Sequence, residues 1–121
     1  MFQGSMVAVV TPMNIDGSLD IASFKDLLDF HIQNHTDGIV VVGTSGEAPT
    51  VDFDEHTFLI KEAINFIQGR VPVIAGTGAN STKEAIFLTK QAKELGADAC
   101  LLVTPYYNKP NQSGLFEHYK A

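Results

Sequence analysis

Residues 38–47 read Gly38-Ile39-Val40-Val41-Val42-Gly43-Thr44-Ser45-Gly46-Glu47, an unbroken apolar run that ends in a loop of glycines and hydroxyls. An apolar run without alternation is typical of a strand that is buried on both faces of a parallel sheet. Three other runs have the same character, at residues 6–10, 71–75 and 99–103. They recur at roughly 30-residue intervals, the length of a βα unit. The sequence therefore predicts four parallel strands.

Helical patterns fill the segments between these runs and follow the last one. Asp52 with Glu55 resembles a capping box at the start of the second helix, and Ser81 with Glu84 is the better one at the start of the third. A fourth helical pattern begins near Ser113. The predicted order is therefore βαβαβαβα, an α/β chain.

Two architectures accommodate four βα units. One is a flavodoxin-like open sheet, which suits a chain of 121 residues. The other is a (β/α)8 TIM barrel, which needs about 250 residues, so that this chain would hold only the first four βα units. The sequence reaches Ala121 inside a helical pattern, which favours the barrel. We therefore expect residues 1–121 to be the N-terminal half of a single barrel domain, with no second domain.

Charge and composition exclude several classes of protein. The formal net charge of −6 argues against nucleic acid or an anionic membrane surface as a partner, because both need clustered Lys and Arg. Cys100 is the single cysteine, which excludes a disulfide framework and indicates a reducing, cytoplasmic location. Residues 1–6 lack the positive charge of a signal peptide, and no apolar stretch approaches the roughly 18 residues of a membrane span.

A ligand site is expected just after the strands, because both architectures bind ligands at the carboxyl ends of their strands. The four segments there are rich in hydroxyls and glycine, and none has Asp or Lys immediately at the strand end. A phospho-acceptor receiver domain would need carboxylates there to hold magnesium, so that function is disfavoured. The segments are residues 11–13, 43–47, 76–80 and 104–108.

The loop at 43–47 is the most informative of these segments. Thr44 and Ser45 offer hydroxyls and successive N–H groups ahead of the second helix, an arrangement that suits a small carboxylate or phosphate. A plain turn with capping hydroxyls explains the same residues equally well. The Gly76-Thr77-Gly78 segment lacks the further residues of a dinucleotide fingerprint, and tight turning is its favoured role.

Tyr106 and Tyr107 stand side by side in the last of these loops. A tyrosine in a site can relay protons or cover a ligand, and tyrosine is also common at subunit interfaces. The histidines are not spaced as metal ligands that face the strand ends, so no metal site is predicted.

Four motifs together resemble the dihydrodipicolinate synthase family of pyruvate-dependent class I aldolases. The loop at 43–47 is similar to that family's Gly-Thr-Thr-Gly-Glu, and residues 103–110, Val-Thr-Pro-Tyr-Tyr-Asn-Lys-Pro, match its other signature. Residues 9–12 and 74–78 also fit in order and spacing. The resemblance covers the whole chain without an evident insertion.

The resemblance implies a cofactor-independent lyase with a TIM barrel that joins pyruvate to aspartate semialdehyde in lysine biosynthesis. A lysine amine forms a Schiff base with pyruvate. On the family pattern, Thr44 is a hydroxyl in a proton relay, and Tyr107 is a relay tyrosine that reaches a neighbouring subunit's site. Thr44 and Ser45 would hold the pyruvate carboxylate. The implied assembly is a homodimer or homotetramer.

The resemblance also implies a lysine-regulatory site at the subunit interface, matched here by His56, Asn80, Glu84 and Tyr106. Phe53 stands where lysine-sensitive members often carry histidine, which leaves lysine inhibition open. Ser45 replaces the family's usual threonine, and this departure keeps a sister lyase for sialic acid or another 2-oxo acid as an alternative.

The family's Schiff-base lysine lies beyond Ala121 on this alignment. None of the lysines present is expected to project from a strand end; they are Lys25, Lys61, Lys83, Lys90, Lys93, Lys109 and Lys120. We therefore expect these 121 residues alone to be inactive. The alternative from a different class is a non-catalytic half barrel that self-associates.

Overall fold

The structure is a computed structural model that describes residues 2–121. Strands and helices alternate along the chain, and a short 3₁₀ turn, Thr44–Gly46, follows the second strand. The predicted βαβαβαβα order is confirmed. Its elements are β1 (Met6–Ala8), α1 (Ile21–Gln33), β2 (Gly38–Val41), α2 (Phe53–Ile67), β3 (Val73–Gly76), α3 (Thr82–Leu95), β4 (Ala99–Leu101) and α4 (Gln112–Lys120).

The strands form one parallel sheet in the order β1-β2-β3-β4. The register pairs Val7 with Ile39 and Val40 with Ile74. Since βαβ crossovers are right-handed as a rule, a sheet that adds strands in one direction carries its helices on one face. Accordingly α1 packs against α2, and α2 against α3. A flavodoxin-like sheet reverses its strand order near the start, so the open-sheet alternative is wrong and the winding is that of a barrel.

Burial differs between the inner and the edge strands. Every residue of β2 and β3 is buried, as their unbroken apolar runs predict. The same prediction is wrong for β1 and β4, where Met6 and Leu101 are exposed. These two strands lie at the edges of the sheet, so each has a neighbour on one side only. The apolar character of a strand does not reveal how much of it is covered.

The core lies between β2 and β3 and the inner faces of α1 and α2. Phe24 and Leu28 of α1 and Leu59 and Ala63 of α2 are almost fully buried, at the helical spacing seen in the sequence. Burying a side chain the size of Leu or Phe contributes about 1.5–3 kcal/mol. Because each helix follows a strand, the amino ends of the helices lie at the same end of the sheet as the carboxyl ends of the strands.

The structure reverses the predicted ranking of the two capping boxes. Asp52 and Glu55 form the complete box: the Glu55 N–H donates to Asp52 Oδ1 at 2.8 Å, and the Asp52 N–H donates to Glu55 Oε2 at 3.3 Å. At α3 only half of the box forms, with the Glu84 N–H donating to Ser81 Oγ at 3.4 Å. The expectation that Ser81 and Glu84 form the better box is therefore wrong. Glu84 instead lines a cavity.

Gly76 and Gly78 allow neighbouring strand ends to approach one another. A Cβ at Gly76 would lie 2.1 Å from the carbonyl oxygen of Val42, and a Cβ at Gly78 would lie 2.2 Å from the backbone nitrogen of Val103. Neither glycine has a positive φ. Gly76 ends a strand and residues 77–79 form no turn, so the tight-turn interpretation is wrong, and close backbone packing requires these glycines. Val42 has a φ of 52°, which is strained for a β-branched residue.

Candidate active site

A cavity of about 700 Å³ opens at the carboxyl ends of β2, β3 and β4. Its walls come from the segments after these strands and from the first turns of α2 and α3, as the parallel sheet requires. The residues that line it are Val42, Gly43, Thr44, Ala48, Pro49, Val51, Asp52, Phe53, His56, Gly76, Gly78, Ala79, Glu84, Leu88, Leu101, Leu102, Val103 and Tyr106.

The glycine-rich loop brings one of its two hydroxyl residues to this cavity. The loop folds as a 3₁₀ turn in which the Gly46 N–H donates to Gly43 O at 3.0 Å and the Glu47 N–H donates to Thr44 O at 3.1 Å. Thr44 and Ser45 are both exposed, and within residues 2–121 neither hydroxyl makes a hydrogen bond. Thr44 lines the cavity and Ser45 does not. Of these two residues, Thr44 is therefore the one that a ligand inside the cavity would contact.

The two adjacent tyrosines point to different places. Tyr106 lines the cavity, whereas Tyr107 is 93% exposed. The Asn108 N–H donates to Tyr106 O at 2.8 Å, which closes a tight turn around Tyr107 at a φ of 66°. In the part of the chain that the structure describes, no hydrogen bond joins Tyr107 to Thr44. Their shared role in a proton relay stays a prediction.

His56 is a buried residue of the cavity wall and joins α2 to the end of β3. Its Nε2 lies 2.7 Å from the carbonyl oxygen of Gly76. Burial lowers the pKa of the His56 imidazole, and the bond to Gly76 opposes that effect only in part. The ring is therefore neutral at pH 7. Because a carbonyl only accepts, Nε2 carries the proton and donates it to Gly76.

Three of the four predicted regulatory residues meet at the cavity. His56, Glu84 and Tyr106 all line it. Asn80 does not; its backbone carbonyl instead accepts a hydrogen bond of 3.1 Å from Asn108 Nδ2. Thr44 lines the same cavity. A predicted catalytic residue and most of the predicted regulatory residues therefore line one cavity.

The charge of the cavity is negative. Asp52 and Glu84 supply carboxylates, and among residues 2–121 neither Lys nor Arg lines it. The remaining wall is largely apolar, with side chains such as Phe53 and Leu88. A ligand with a cationic group and an aliphatic part matches this combination.

The sequence interpretation missed the role of Asp52 in the cavity. Asp52 was predicted only as a helix cap, yet it also lines the cavity beside Phe53. A signal for it existed, because an N-cap that follows a strand-end loop lies at the same end of the sheet as the ligand site. Nothing in the sequence identified the apolar wall formed by Val51 and Leu88.

The described residues were also compared with the requirements of a metal site and of a membrane-spanning helix. Within residues 2–121, no three side chains of His, Cys, Asp or Glu come together in a way that could hold a metal ion. No helix in this range is long and apolar enough to cross a membrane.

Comparison with known proteins places these features in a family. A family model for dihydrodipicolinate synthetases matches residues 1–121. The chain is 66% identical to the 4-hydroxy-tetrahydrodipicolinate synthase of Nitrosomonas europaea, over 100% of this chain and 41% of that relative. It therefore spans about two-fifths of the length of the curated relatives it matches.

Solved structures agree with the fold. A chloride-inhibited dihydrodipicolinate synthase from Acinetobacter baumannii, complexed with pyruvate, matches with a TM-score of 0.97 and 61% identity, over 99% of this chain and 41% of that one. The enzyme from Cyanidioschyzon merolae with lysine bound matches with a TM-score of 0.93 and 38% identity, over 98% and 41% of the two chains. The chain matches the N-terminal part of these TIM barrels, and the predicted (β/α)8 fold is confirmed.

Proposed function

The chain belongs to the dihydrodipicolinate synthetase family, and from this membership we propose that it is the N-terminal half of a single barrel domain in a class I aldolase. The proposed reaction joins pyruvate to aspartate semialdehyde in lysine biosynthesis, without a cofactor, in a cytoplasmic homodimer or homotetramer. The curated relatives carry the name of this synthase, and the relative from Acinetobacter baumannii binds pyruvate. The observation that carries the proposal is the free Thr44 hydroxyl at the cavity.

The proposed chemistry needs an amine that this chain does not place at the site. A lysine amine attacks the keto carbon of pyruvate, and loss of water gives an imine that makes the methyl group acidic. Within residues 2–121, every lysine lies on a helix except Lys109, which lies in the loop after β4. We propose that the Schiff-base lysine lies outside residues 1–121, and that these residues alone are inactive.

The residues of this chain bind substrate and move protons in the proposed reaction. Thr44 and Ser45 hold the pyruvate carboxylate through their backbone N–H groups in the 3₁₀ turn. The Thr44 hydroxyl passes a proton to or from the reacting carbon through neighbouring tyrosines. The free hydroxyl of Thr44 supports this role. Tyr107 acts in the site of a neighbouring subunit, a role supported by a side chain that is 93% exposed.

The function is tested in a chimera in which residues 1–121 replace the matching segment of the Acinetobacter baumannii enzyme. We expect the chimera to trap one pyruvate per chain with borohydride and to consume aspartate semialdehyde, as measured by intact mass and by turnover. The isolated 121-residue chain should trap none. A folded chimera without turnover would refute the synthase function, and an adduct on the isolated chain would refute the location of the lysine.

We further propose that the cavity binds lysine as a feedback inhibitor through His56, Glu84 and Tyr106, the three residues of the predicted regulatory set that line it. The Glu84 carboxylate would meet the ammonium group, and the apolar wall would meet the aliphatic chain. The negative charge of the cavity supports this, as does the lysine-bound relative. Phe53 adds apolar surface to the same wall.

Glu84→Gln is expected to weaken lysine inhibition of the chimera. Loss of a charge-assisted hydrogen bond costs about 1.5–3 kcal/mol, so the lysine concentration for half-inhibition should rise about 10- to 100-fold. Glu94→Gln is the matched control, because Glu94 is an exposed residue of the same helix that does not line the cavity. If millimolar lysine leaves turnover of the unsubstituted chimera unchanged, the regulatory proposal fails.

A further inference from the structure

The Thr11 hydroxyl joins the end of the first strand to the loop that carries Thr44. Thr11 is 7% exposed, and its Oγ1 donates to the carbonyl oxygen of Gly46 at 2.7 Å across 35 residues of sequence. We propose that Thr11 is a positioning residue for the proposed aldolase reaction, since it fixes the backbone of the 3₁₀ turn and so places the Thr44 hydroxyl at the cavity. This inference rests on the proposed function.

Gly46 packs closely against the segment that contains Val9 and Thr11. Gly46 is buried, and a Cβ placed on it would lie 3.2 Å from Thr11 Oγ1 and 3.2 Å from Val9 O. The turn therefore sits directly on the segment that follows β1. A side chain at position 46 would push the turn away from Thr11 and lengthen the hydrogen bond.

The donor is held more firmly than the acceptor. On one side of Thr11, the Val9 N–H continues the sheet ladder to Val40 O at 3.1 Å. On the other side, the Asp20 N–H donates to Pro12 O at 2.9 Å and ties the segment to the start of α1. Thr11 is thus anchored both before and after its own position.

The 3₁₀ turn, in contrast, is held largely by its own backbone. No side chain caps its start at Gly43. The Gly46 and Ala48 N–H groups both donate to Gly43 O, at 3.0 and 3.3 Å, which closes the turn on itself without fixing its direction. The bond from Thr11 connects it to the sheet from outside. Loss of that bond would let the turn shift and would leave the buried Gly46 carbonyl without its partner.

The effect on catalysis follows from the position of Thr44 two residues before Gly46. A displacement of about 1 Å at a reacting group can cost about 100-fold in rate. Because the turn is proposed to hold the pyruvate carboxylate and to carry the proton-relay hydroxyl, the loss should appear in the KM for pyruvate and in kcat, while the KM for aspartate semialdehyde stays unaffected. A general loss of stability would not discriminate between the two substrates.

The test compares three variants of the chimera: Thr11→Val, Thr11→Ser and Thr89→Val. Valine keeps the shape of threonine without the hydroxyl, and serine restores the hydroxyl. Thr89 is the matched control, because its hydroxyl donates to Thr77 Oγ1 at 2.9 Å, away from the turn. We expect Thr11→Val to lower kcat and to raise the KM for pyruvate about tenfold or more, with the KM for aspartate semialdehyde unchanged. Thr11→Ser should restore most of the loss.

Hydrogen exchange supplies a readout that does not depend on turnover. The amides of Gly46, Glu47 and Ala48 close the turn, so their exchange should accelerate in Thr11→Val and not in Thr89→Val. An active chimera whose pyruvate KM is unchanged by Thr11→Val overturns the role of Thr11 and leaves the proposed function intact. An inactive chimera refutes the function, and unchanged exchange at these amides then overturns the anchoring as well.

Discussion

Replacing Gly76 by alanine is expected to destabilise the chimera by about 3 kcal/mol or more, at the upper end of the cost of overpacking a core. The added Cβ would lie 2.1 Å from Val42 O, 2.6 Å from Val42 C and 2.8 Å from Gly43 Cα. All three atoms belong to the backbone, so no side-chain rotation can relieve the clash. The strands β2 and β3 would have to separate where the cavity begins.

The measurement is the free energy of unfolding from urea titration, with Gly43→Ala as the control. A Cβ at Gly43 would meet only the Val40 Cγ1 atom at 3.5 Å, an ordinary contact. Its φ of −82° is also accessible to alanine. We expect this control to change stability far less than Gly76→Ala. Equal effects of the two substitutions would mean that the close approach at Gly76 does not limit stability.

Replacing Thr44 by valine is expected to lower the kcat of the chimera by about 100- to 1,000-fold, within the range that a positioned acid–base group supplies. Valine preserves the β-branched shape, so the walls of the cavity should stay in place. Only the hydroxyl is removed, and within residues 2–121 that hydroxyl makes no hydrogen bond that stabilises the fold. The melting temperature should therefore change little, although kcat falls.

Thr44→Ser distinguishes the hydroxyl from the shape of the side chain. Serine keeps the oxygen and loses the methyl group, so most of the turnover should remain. Ser45→Ala is a second comparison, because Ser45 does not line the cavity, and a smaller loss is expected there. Wild-type turnover in Thr44→Val would remove Thr44 from the proton relay.

The periodicity of the sequence was sufficient to predict the order of strands and helices along the chain. Apolar runs at the length of a βα unit gave four strands, and the helical patterns between and after them gave four helices. Prediction of burial failed at β1 and β4. The apolar residues of a strand show which side chains could be buried. The position of the strand in the sheet decides how much of each side chain is covered.

The candidate site was only partly predictable. Strand-end loops and family motifs pointed to Thr44, Ser45 and Tyr107 as chemical groups. They did not show that Thr44 reaches the cavity while Ser45 stays outside it, or that Asp52 joins the wall. The direction of a side chain in a 3₁₀ turn depends on backbone angles and on contacts distant in sequence.

The sequence by itself determined the βα alternation, and it predicted a site at the carboxyl ends of the strands together with the reactive groups that would act there. These properties depend on hydrophobic periodicity and residue chemistry, which are local. Only the tertiary structure decided the strand order, the approach of Val42 to Gly76 and the bond from Thr11 to Gly46. The two contacts join residues 34 or more positions apart, and the strand order depends on which strands are neighbours. A local sequence pattern does not specify either property.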